Sequence, residues 1–350
     1  MEPIIEFEHV DVSFPMRAGT VQAVRDVSLR IPRGKITALV GESGSGKSTL
    51  ASTLLRMVSA PGIISADSIE VDGQDVMKMS EKKLRNYRWS QVSMVFQAAQ
   101  NSLNPVVTIG EQFIETYRAH QKEAKKVEIE KRAIELLEYV KLEPKRILRS
   151  FPHEIKWWNE ARMKQRVMIA FSLLLEPKIV ILDEPTTALD VITQDYIFSI
   201  LEKINKELGV TLLLLSHDIA VVAKVADYLG VMYAGKVVEF NDIHTIFEAP
   251  KHPYTIGLLQ AVPSLIHDLE EIKPIPGASP NLLELPKGCP FHPRCEHVMS
   301  QCKTVEPELL RLQAGYRPAC HLFDPEQKEV TTLQNEPVAS IRQYQHAFSQ

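Results

Sequence analysis

Residues 41–49 read Gly-Glu-Ser-Gly-Ser-Gly-Lys-Ser-Thr. The spacing fits G-x-x-x-x-G-K-[ST], the P-loop pattern, and its residue types suit one task. Gly41, Gly44 and Gly46 leave no Cβ between backbone N–H groups and an anion and allow positive φ. Lys47 can reach the β- and γ-phosphates of a triphosphate, and the Ser48 hydroxyl can ligate Mg²⁺. A helix opening near Lys47 adds its positive end. The candidate triphosphate contacts are therefore Gly41, Ser43, Gly44, Ser45, Gly46, Lys47, Ser48 and Thr49. A second stretch, Ile179-Val180-Ile181-Leu182-Asp183-Glu184, is an apolar run ending in two acids, the Walker B form. Asp183 can hold the Mg²⁺ through water, and Glu184 is placed to polarise an attacking water. Beside a bound cation both carboxylates stay ionised. Each stretch has a plain alternative, a glycine-rich turn and a strand ending in solvated acids, but the two occur together. A dinucleotide fold would need glycine in place of Lys47 or Ser48 and an acid ending the next strand.

These groups need elements to carry them. Residues 36–40 read as a short buried strand feeding the loop, and 48–58 as the helix after it. Residues 92–96 read as another buried strand, ending at Gln97, and 178–182 and 211–215 as two more. Residues 4–12 form a strand. Phe14-Pro15 and the stretch to Thr20 read as a loop, and 21–31 as a strand pair closed by the turn Pro32-Arg33-Gly34. Residues 69–73 run from strand into turn, and 81–89 form a short charged helix. One helix is expected over 108–142, with Val127, Ile134, Leu137 and Val140 on its apolar face and the charges of EAKKVEIEKR on a solvated one. Another covers 164–175. After Val238 the composition shifts, and prolines recur from Pro250 to Pro318. Residues 326–350 are polar with little periodicity, which predicts a loosely held tail.

The chain has 350 residues and a net charge of −4, which gives no nucleic-acid footprint. No apolar run reaches the roughly 18 residues of a membrane span. The acidic start, MEPIIEFEHV, lacks a signal sequence. A cytoplasmic location is expected, with any membrane role exercised through partners. All four cysteines, Cys289, Cys295, Cys302 and Cys320, fall in one stretch. In a reducing compartment this clustering points to metal or cluster ligation. The C-x5-C-x6-C-x17-C spacing is not one of the common zinc or ferredoxin patterns.

With these stretches in this order, the chain resembles an ABC-transporter ATPase of the oligopeptide/dipeptide importer type over about residues 4–325. The resemblance is carried by GESGSGKST, Gln97 after SMVF, NSLNP at 101–105 and ILDEPTTALD at 181–190. It is carried further by LLLLSHD at 212–218, YAGKVVE at 233–239, HPYTIGLLQAVP at 252–263 and GCPFHPRC at 288–295. It implies roles. Phe14 resembles the aromatic that stacks on adenine. Gln97 resembles the Q-loop glutamine that touches Mg²⁺ and the attacking water and couples to the membrane subunits. Asp190, in Thr187-Ala188-Leu189-Asp190, resembles the D-loop acid. His217 resembles the switch histidine that contacts the γ-phosphate. The four cysteines match those that carry a [4Fe–4S] cluster in these ATPases. A structural zinc, with His292, His297 or His321 substituting, and free thiols are the other readings.

One stretch departs from the family. Phe151-Pro152-His153-Glu154 and Met163-Lys164-Gln165-Arg166 flank the place of the signature Leu-Ser-Gly-Gly, but eight residues stand between them, Ile155-Lys156-Trp157-Trp158-Asn159-Glu160-Ala161-Arg162. In the family two ATPases pack head to tail, and the signature offers a serine hydroxyl, glycine amides and a helix start to the partner's γ-phosphate. Losing one preorganised donor costs about 3 kcal/mol. A heterodimer is therefore expected, with a competent site on this chain's Walker motifs and the partner's intact signature.

The resemblance implies an α/β fold. A RecA-like core with an antiparallel β part would take residues 1–100 and 164–248, and a helical, signature-bearing subdomain 101–163. A four-cysteine extension would take 249–325, followed by the polar tail. It implies ATP hydrolysis that powers import of oligopeptides, at the cytoplasmic face of the membrane. The implied partners are a second ATPase, two transmembrane permeases and, indirectly, an extracytoplasmic solute-binding protein, and no nucleic acid. Oligosaccharides are the alternative cargo, and a non-hydrolysing regulatory subunit is the alternative role.

Overall fold

The computed structural model describes residues 2–97, 102–155, 160–187, 189–262, 274–312 and 315–324. Trp157 and Trp158 of the altered signature, Ala188, Asn101 and the polar tail lie outside the described residues. The chain divides into two compact units. One comprises Met1–Lys78 with Ser216–Gln350, and the other Met79–Leu215.

The first unit opens with β1 (Pro3–Met16) and β2 (Gly19–Pro32), antiparallel from Pro3 opposite Pro32 to Met16 opposite Gly19. Ile5, Phe7, Val10 and Val12 of β1 are buried, and two-residue alternation is interrupted by register shifts. Both strands outrun the sequence reading. Phe14 stands in β1 opposite Val21, not in a loop, and residues 21–31 form one strand, not two. β3 (Ile36–Val40) follows, buried at every position. Then come α1 (Lys47–Thr53), β4 (Ile63–Ser65), β5 (Ser68–Val71) and β6 (Gln74–Asp75). β1 pairs β5 and β4 on its other side, and β6 pairs β5, completing an antiparallel sheet.

The second unit runs through α2 (Glu81–Ser90), β7 (Val92–Val95), α3 (Ile109–His120), α4 (Lys126–Tyr139), α5 (Pro144–Arg149) and α6 (Glu160–Ser172). β8 (Ile179–Asp183), α7 (Val191–Leu208) and β9 (Thr211–Ser216) complete it. β7, β8 and β9 pair in parallel, Val92 opposite Ile179 and Ile179 opposite Thr211. Every residue of the three is buried, as expected for strands covered on both faces. The single helix expected over 108–142 is two. α3 starts in a capping box between Thr108 and Glu111, and α4 begins only at Lys126. Val127 is exposed. The face of α4 that is buried carries Ile129, Ala133, Leu136 and Leu137. Val127 has helical spacing to Ile134, but it sits in the exposed first turn of α4, outside the core.

The chain then returns to the first unit with α8 (Ile219–Ala223), β10 (Tyr228–Tyr233), β11 (Lys236–Asp242), α9 (Ile243–Glu248) and α10 (Pro253–Gln260). β10 pairs β3 in parallel and β11 antiparallel. Among the described residues, the cysteine-bearing stretch has little regular structure beyond three-residue 3₁₀ turns and the antiparallel pair β12 (Leu310–Leu312) and β13 (Gly315–Arg317). It still belongs to the same compact unit as the P-loop. Arg25 pairs Glu306 at 2.5 Å, the Arg30 amide donates to Tyr316 Oη at 2.9 Å, and Ala319 N–H bonds the Val238 carbonyl at 2.8 Å. Among the described residues no helix is long and apolar enough to cross a membrane.

In the second unit the rings of Phe113 on α3 and Phe171 on α6 stack at 3.8 Å, both buried. Phe113→Ala should lower unfolding stability by about 3–5 kcal/mol. Denaturant unfolding followed by circular dichroism would measure it, and a loss below about 1 kcal/mol would show the ring to be dispensable.

Candidate functional site

The P-loop leaves β3 at Gly41 and enters α1 at Lys47. Its shape is set by close backbone approach. A Cβ on Gly41, at φ +152°, would lie 2.1 Å from the Met232 carbonyl oxygen. One on Gly46, at φ +100°, would lie 2.3 Å from that of Ala23. Both positions therefore exclude every side chain, for space as well as for φ. Gly235 N–H bonds the Ser45 carbonyl at 3.1 Å, and Arg25 N–H bonds the Gly235 carbonyl at 2.9 Å. Within the loop, Lys47 Nζ donates to the carbonyls of Gly41 (2.7 Å) and Glu42 (3.0 Å) and to Ser45 Oγ (3.2 Å). Lys47 and Ser45 are buried, while Ser43, Gly44 and Ser48 are exposed and Thr49 is half-buried. Gly46 takes the N-cap place of α1, where no side chain caps the helix. The arrangement is a closed turn with the Lys47 ammonium folded back onto its carbonyls.

In the second unit β8 carries Asp183, buried, to its end. The next residue breaks the strand. Glu184 has φ +48°, a conformation that costs an ordinary residue about 1–2 kcal/mol. Its amide is held by the Leu215 carbonyl at 2.9 Å. Glu184 Oε2 accepts from Gln97 Nε2 at 2.9 Å and from Thr187 Oγ1 at 2.7 Å. Two residues separated by 87 positions are thus brought together, a carboxylate held by a glutamine and a hydroxyl. Thr187 was singled out only as part of the D-loop stretch. Its hydroxyl sits three residues from Glu184, a turn relation that could have been read. Asp190 caps α7, accepting from the Thr193 amide (3.0 Å) and hydroxyl (2.6 Å).

His217 follows β9 on an exposed turn of the first unit. Ser216 Oγ donates to the Asp218 carbonyl and accepts from the Asp218 amide, and Asp218 in turn caps α8. Phe14 is half-buried in β1, and its ring lies beside Gly62, where an added Cβ would meet it at 2.7 Å.

Cys289, Cys295, Cys302 and Cys320 line one pocket together with His252, His292, His297 and His321. All four thiols are free. Burial pushes the Cys289 thiol up to about 11 and Cys320 up to about 12, and raises Cys295. Among the described residues, no three Cys, His, Asp or Glu are drawn together closely enough to hold a metal ion.

Sequence reasoning missed one feature of the P-loop. The Glu42 carboxylate is clasped by Arg294, 252 positions away, in two bonds of 2.9 Å, and is joined by Ser279 Oγ. Burial alone would push this carboxyl up, but the guanidinium and the hydroxyl outweigh it and hold it below the usual carboxylate range.

Gly46→Ala should lower the melting temperature and cut ATP affinity, since a methyl facing the Ala23 carbonyl must displace backbone. The strain amounts to about 1–3 kcal/mol. Thermal melts and ATP titration of the full chain check it, and wild-type values in both would show that the loop tolerates a side chain.

Comparison with known proteins agrees with this geometry. Residues 24–187 match the ABC transporter family, and residues 238–302 match the oligopeptide/dipeptide transporter C-terminal region. The chain is similar to the dipeptide transport ATP-binding protein DppD of Caldanaerobacter subterraneus subsp. tengcongensis, 42% identical over 93% of this chain and 98% of that protein. It is also similar to the oligopeptide transport ATP-binding protein OppD of Escherichia coli, 40% identical over 92% of this chain and 95% of that one. Among solved structures it resembles cbiO1 of Clostridium perfringens, part of the ABC transporter complex cbiONQ, with TM-score 0.60, 29% identity and coverage of 71% and 91%. It also resembles the dimeric ATP-binding cassette MJ0796 bound to ADP and Pi, with TM-score 0.59, 27% identity and coverage of 68% and 98%. The chain belongs to the ABC transporter ATPases, in the branch of dipeptide and oligopeptide transport ATP-binding proteins.

Proposed function

We propose that this chain hydrolyses ATP to power import of oligopeptides by a heteromeric ABC transporter. The observation that carries the reading is Glu184. The residue sits at the end of β8 on a strained backbone, with its carboxylate held by Gln97 and Thr187. A base must be aimed before it can work, and strain of this kind gathers where function needs it. Glu184 takes the proton of the attacking water. Lys47 and the loop amides hold the β- and γ-phosphates, His217 contacts the γ-phosphate, and Phe14 stacks on adenine. Ser48, Asp183 and Gln97 offer the oxygen ligands Mg²⁺ takes, and the ion supplies neutralisation of phosphate charge.

The pairing follows from the altered signature. Replacement of Leu-Ser-Gly-Gly by the eight residues 155–162 removes a hydroxyl and two glycines from the surface offered to a partner's nucleotide. We infer a second ATPase with an intact signature, which completes this chain's site, while the site facing Trp157 and Trp158 is slow. Two transmembrane permeases and an extracytoplasmic solute-binding protein would complete the importer, with this chain peripheral on the cytoplasmic face. The Asp190 stretch would cross to the paired ATPase, and Gln97 would couple to a permease. The helical stretch within 101–163 would be the signature-bearing subdomain.

We further propose that Cys289, Cys295, Cys302 and Cys320 hold a [4Fe–4S] cluster. Four free thiols lining one pocket are the donor set such a cluster takes, and loading must draw them closer, since no three such donors among the described residues stand within reach of one ion. Zinc is the alternative, and iron analysis with visible absorption of anaerobically purified chain separates them.

In the assembled pair, Glu184→Gln should lower ATP turnover by at least about 10²-fold and leave ATP binding intact. Turnover that survives the change would place the working site on the other ATPase.

A further inference from the structure

Around the P-loop, one residue is gripped from outside at both its backbone and its side chain. The Glu42 amide donates to Tyr254 Oη at 3.0 Å. Its carboxylate takes the two parallel bonds from Arg294 and one from Ser279. Both grips come from the C-terminal stretch and are built as supports. Tyr254 is fully buried, and its ring packs against Tyr233 at 4.6 Å and Phe291 at 5.4 Å. It sits in the first turn of α10, whose N-cap His252 accepts the Tyr254 amide at Nδ1, 3.1 Å. His252 is held in turn. Its amide and that of Lys251 donate to the two oxygens of the buried Glu239 on β11. The Arg294 side chain is only 8% exposed. Its Nε donates to the Pro276 carbonyl at 2.7 Å, and its guanidinium lies 5.9 Å from the centres of the Tyr233 and Phe291 rings.

We propose that Tyr254 and Arg294 are positioning residues for the nucleotide, a strut from the C-terminal stretch that shapes the P-loop through Glu42. The inference rests on the reading of residues 41–49 as the ATP loop. Glu42 is the one acidic residue of that loop. Released, its carboxylate would oppose an incoming triphosphate. Clasped by Arg294, it is neutralised and turned aside. The hydrogen bond to Tyr254 fixes the plane of the Gly41–Glu42 peptide, whose carbonyl oxygen, that of Gly41, accepts from Lys47 Nζ at 2.7 Å. The strut thus ties the His-Pro-Tyr stretch and the first two cysteines' stretch to phosphate binding. Ser279 adds a third, weaker hold.

The test is ATP titration, by calorimetry in excess Mg²⁺, of the full chain and four variants. Arg294→Gln should raise the Kd for ATP about tenfold, the loss expected when a bidentate charged partner is removed. Tyr254→Phe, which deletes one oxygen, should raise it about threefold. Glu42→Gln combined with Arg294→Gln should return the Kd to within about threefold of wild type, because the uncompensated carboxylate is gone. A merely structural role for Arg294 would not be rescued at Glu42. Lys47→Ala marks the loss of loop binding altogether. If wild type binds ATP and Lys47→Ala does not, the nucleotide reading stands. In that case wild-type affinity in Arg294→Gln, or a double variant as weak as Arg294→Gln alone, overturns the strut. If wild type and Lys47→Ala bind alike, the nucleotide reading itself falls, and the strut with it. Should thermal melts show Arg294→Gln unfolded, Tyr254→Phe decides, and affinity equal to wild type overturns the proposal.

Discussion

The first unit depends on how closely backbone can approach backbone at the P-loop. Gly46 lies against the Ala23 carbonyl and Gly41 against the Met232 carbonyl, at separations no Cβ survives. Those two contacts fasten the loop to β2 and β10 at once. The Ser45–Gly235 and Gly235–Arg25 backbone bonds close the same circuit. A loop that binds a polyanion through its amides gains most when those amides are already in place, since no reorganisation is left to be done on binding. The antiparallel strands β1 and β2 and the parallel pair β3–β10 are what hold the two carbonyls there.

The second unit solves a different problem, two adjacent carboxylates at the end of a buried strand. In a continuing strand, neighbours point to opposite faces, and one of the pair would be sent into the apolar layer. Burial of an unpaired charge there would cost several kcal/mol. Breaking the strand at Glu184 with a positive φ keeps that residue half-buried beside its partners, while Asp183 is the one that stays buried. Asp183 ends the pairing opposite Leu215, and Glu184 swings to Gln97 and Thr187. The cost of the turn is small beside the charge burial it avoids. Asp190 is likewise fully used, its carboxylate capping α7.

What could be read in advance divides by range. β3, β7, β8 and β9 are short, wholly buried strands, and they stood out as uninterrupted apolar runs. The P-loop pattern and the paired acids stand out because each is a run of consecutive residues. Failures came where tertiary context decides. Phe14 and Pro15 look like a loop by composition, but a long partner strand recruits them into β1. The run 108–142 has helical character throughout, and only packing reveals that it breaks before Lys126 and turns Ile129 rather than Val127 inward. The Glu42–Arg294 clasp spans 252 positions, and no local pattern announces it. His252, Pro253 and Tyr254 were visible as a family stretch without any reason for their identity. In the fold, His252 caps, Pro253 occupies the first turn where its missing N–H is harmless, and Tyr254 reaches the loop.

That last set bears on what the C-terminal stretch is. Composition marks it off as irregular and proline-rich, which suggests an appendage. Its contacts argue otherwise. Glu306 pairs Arg25, the residue whose amide helps close the loop circuit, and also lies 3.4 Å from Lys236. Tyr316 accepts from the Arg30 amide on β2 and packs edge-on against Phe240 of β11. Ala319 bonds the Val238 carbonyl, and Glu239 beside it holds the turn before α10. Burial raises the Glu239 carboxyl even though two backbone amides favour its charged form. A carboxyl kept there against that desolvation is explained by the two donors it satisfies, which set His252 and so Tyr254. An appendage would meet the rest of its unit through exposed side chains at a rim. This stretch meets it through main chain, buried rings and a bidentate ion pair, so the P-loop and the cysteine-lined pocket are parts of a single compact unit.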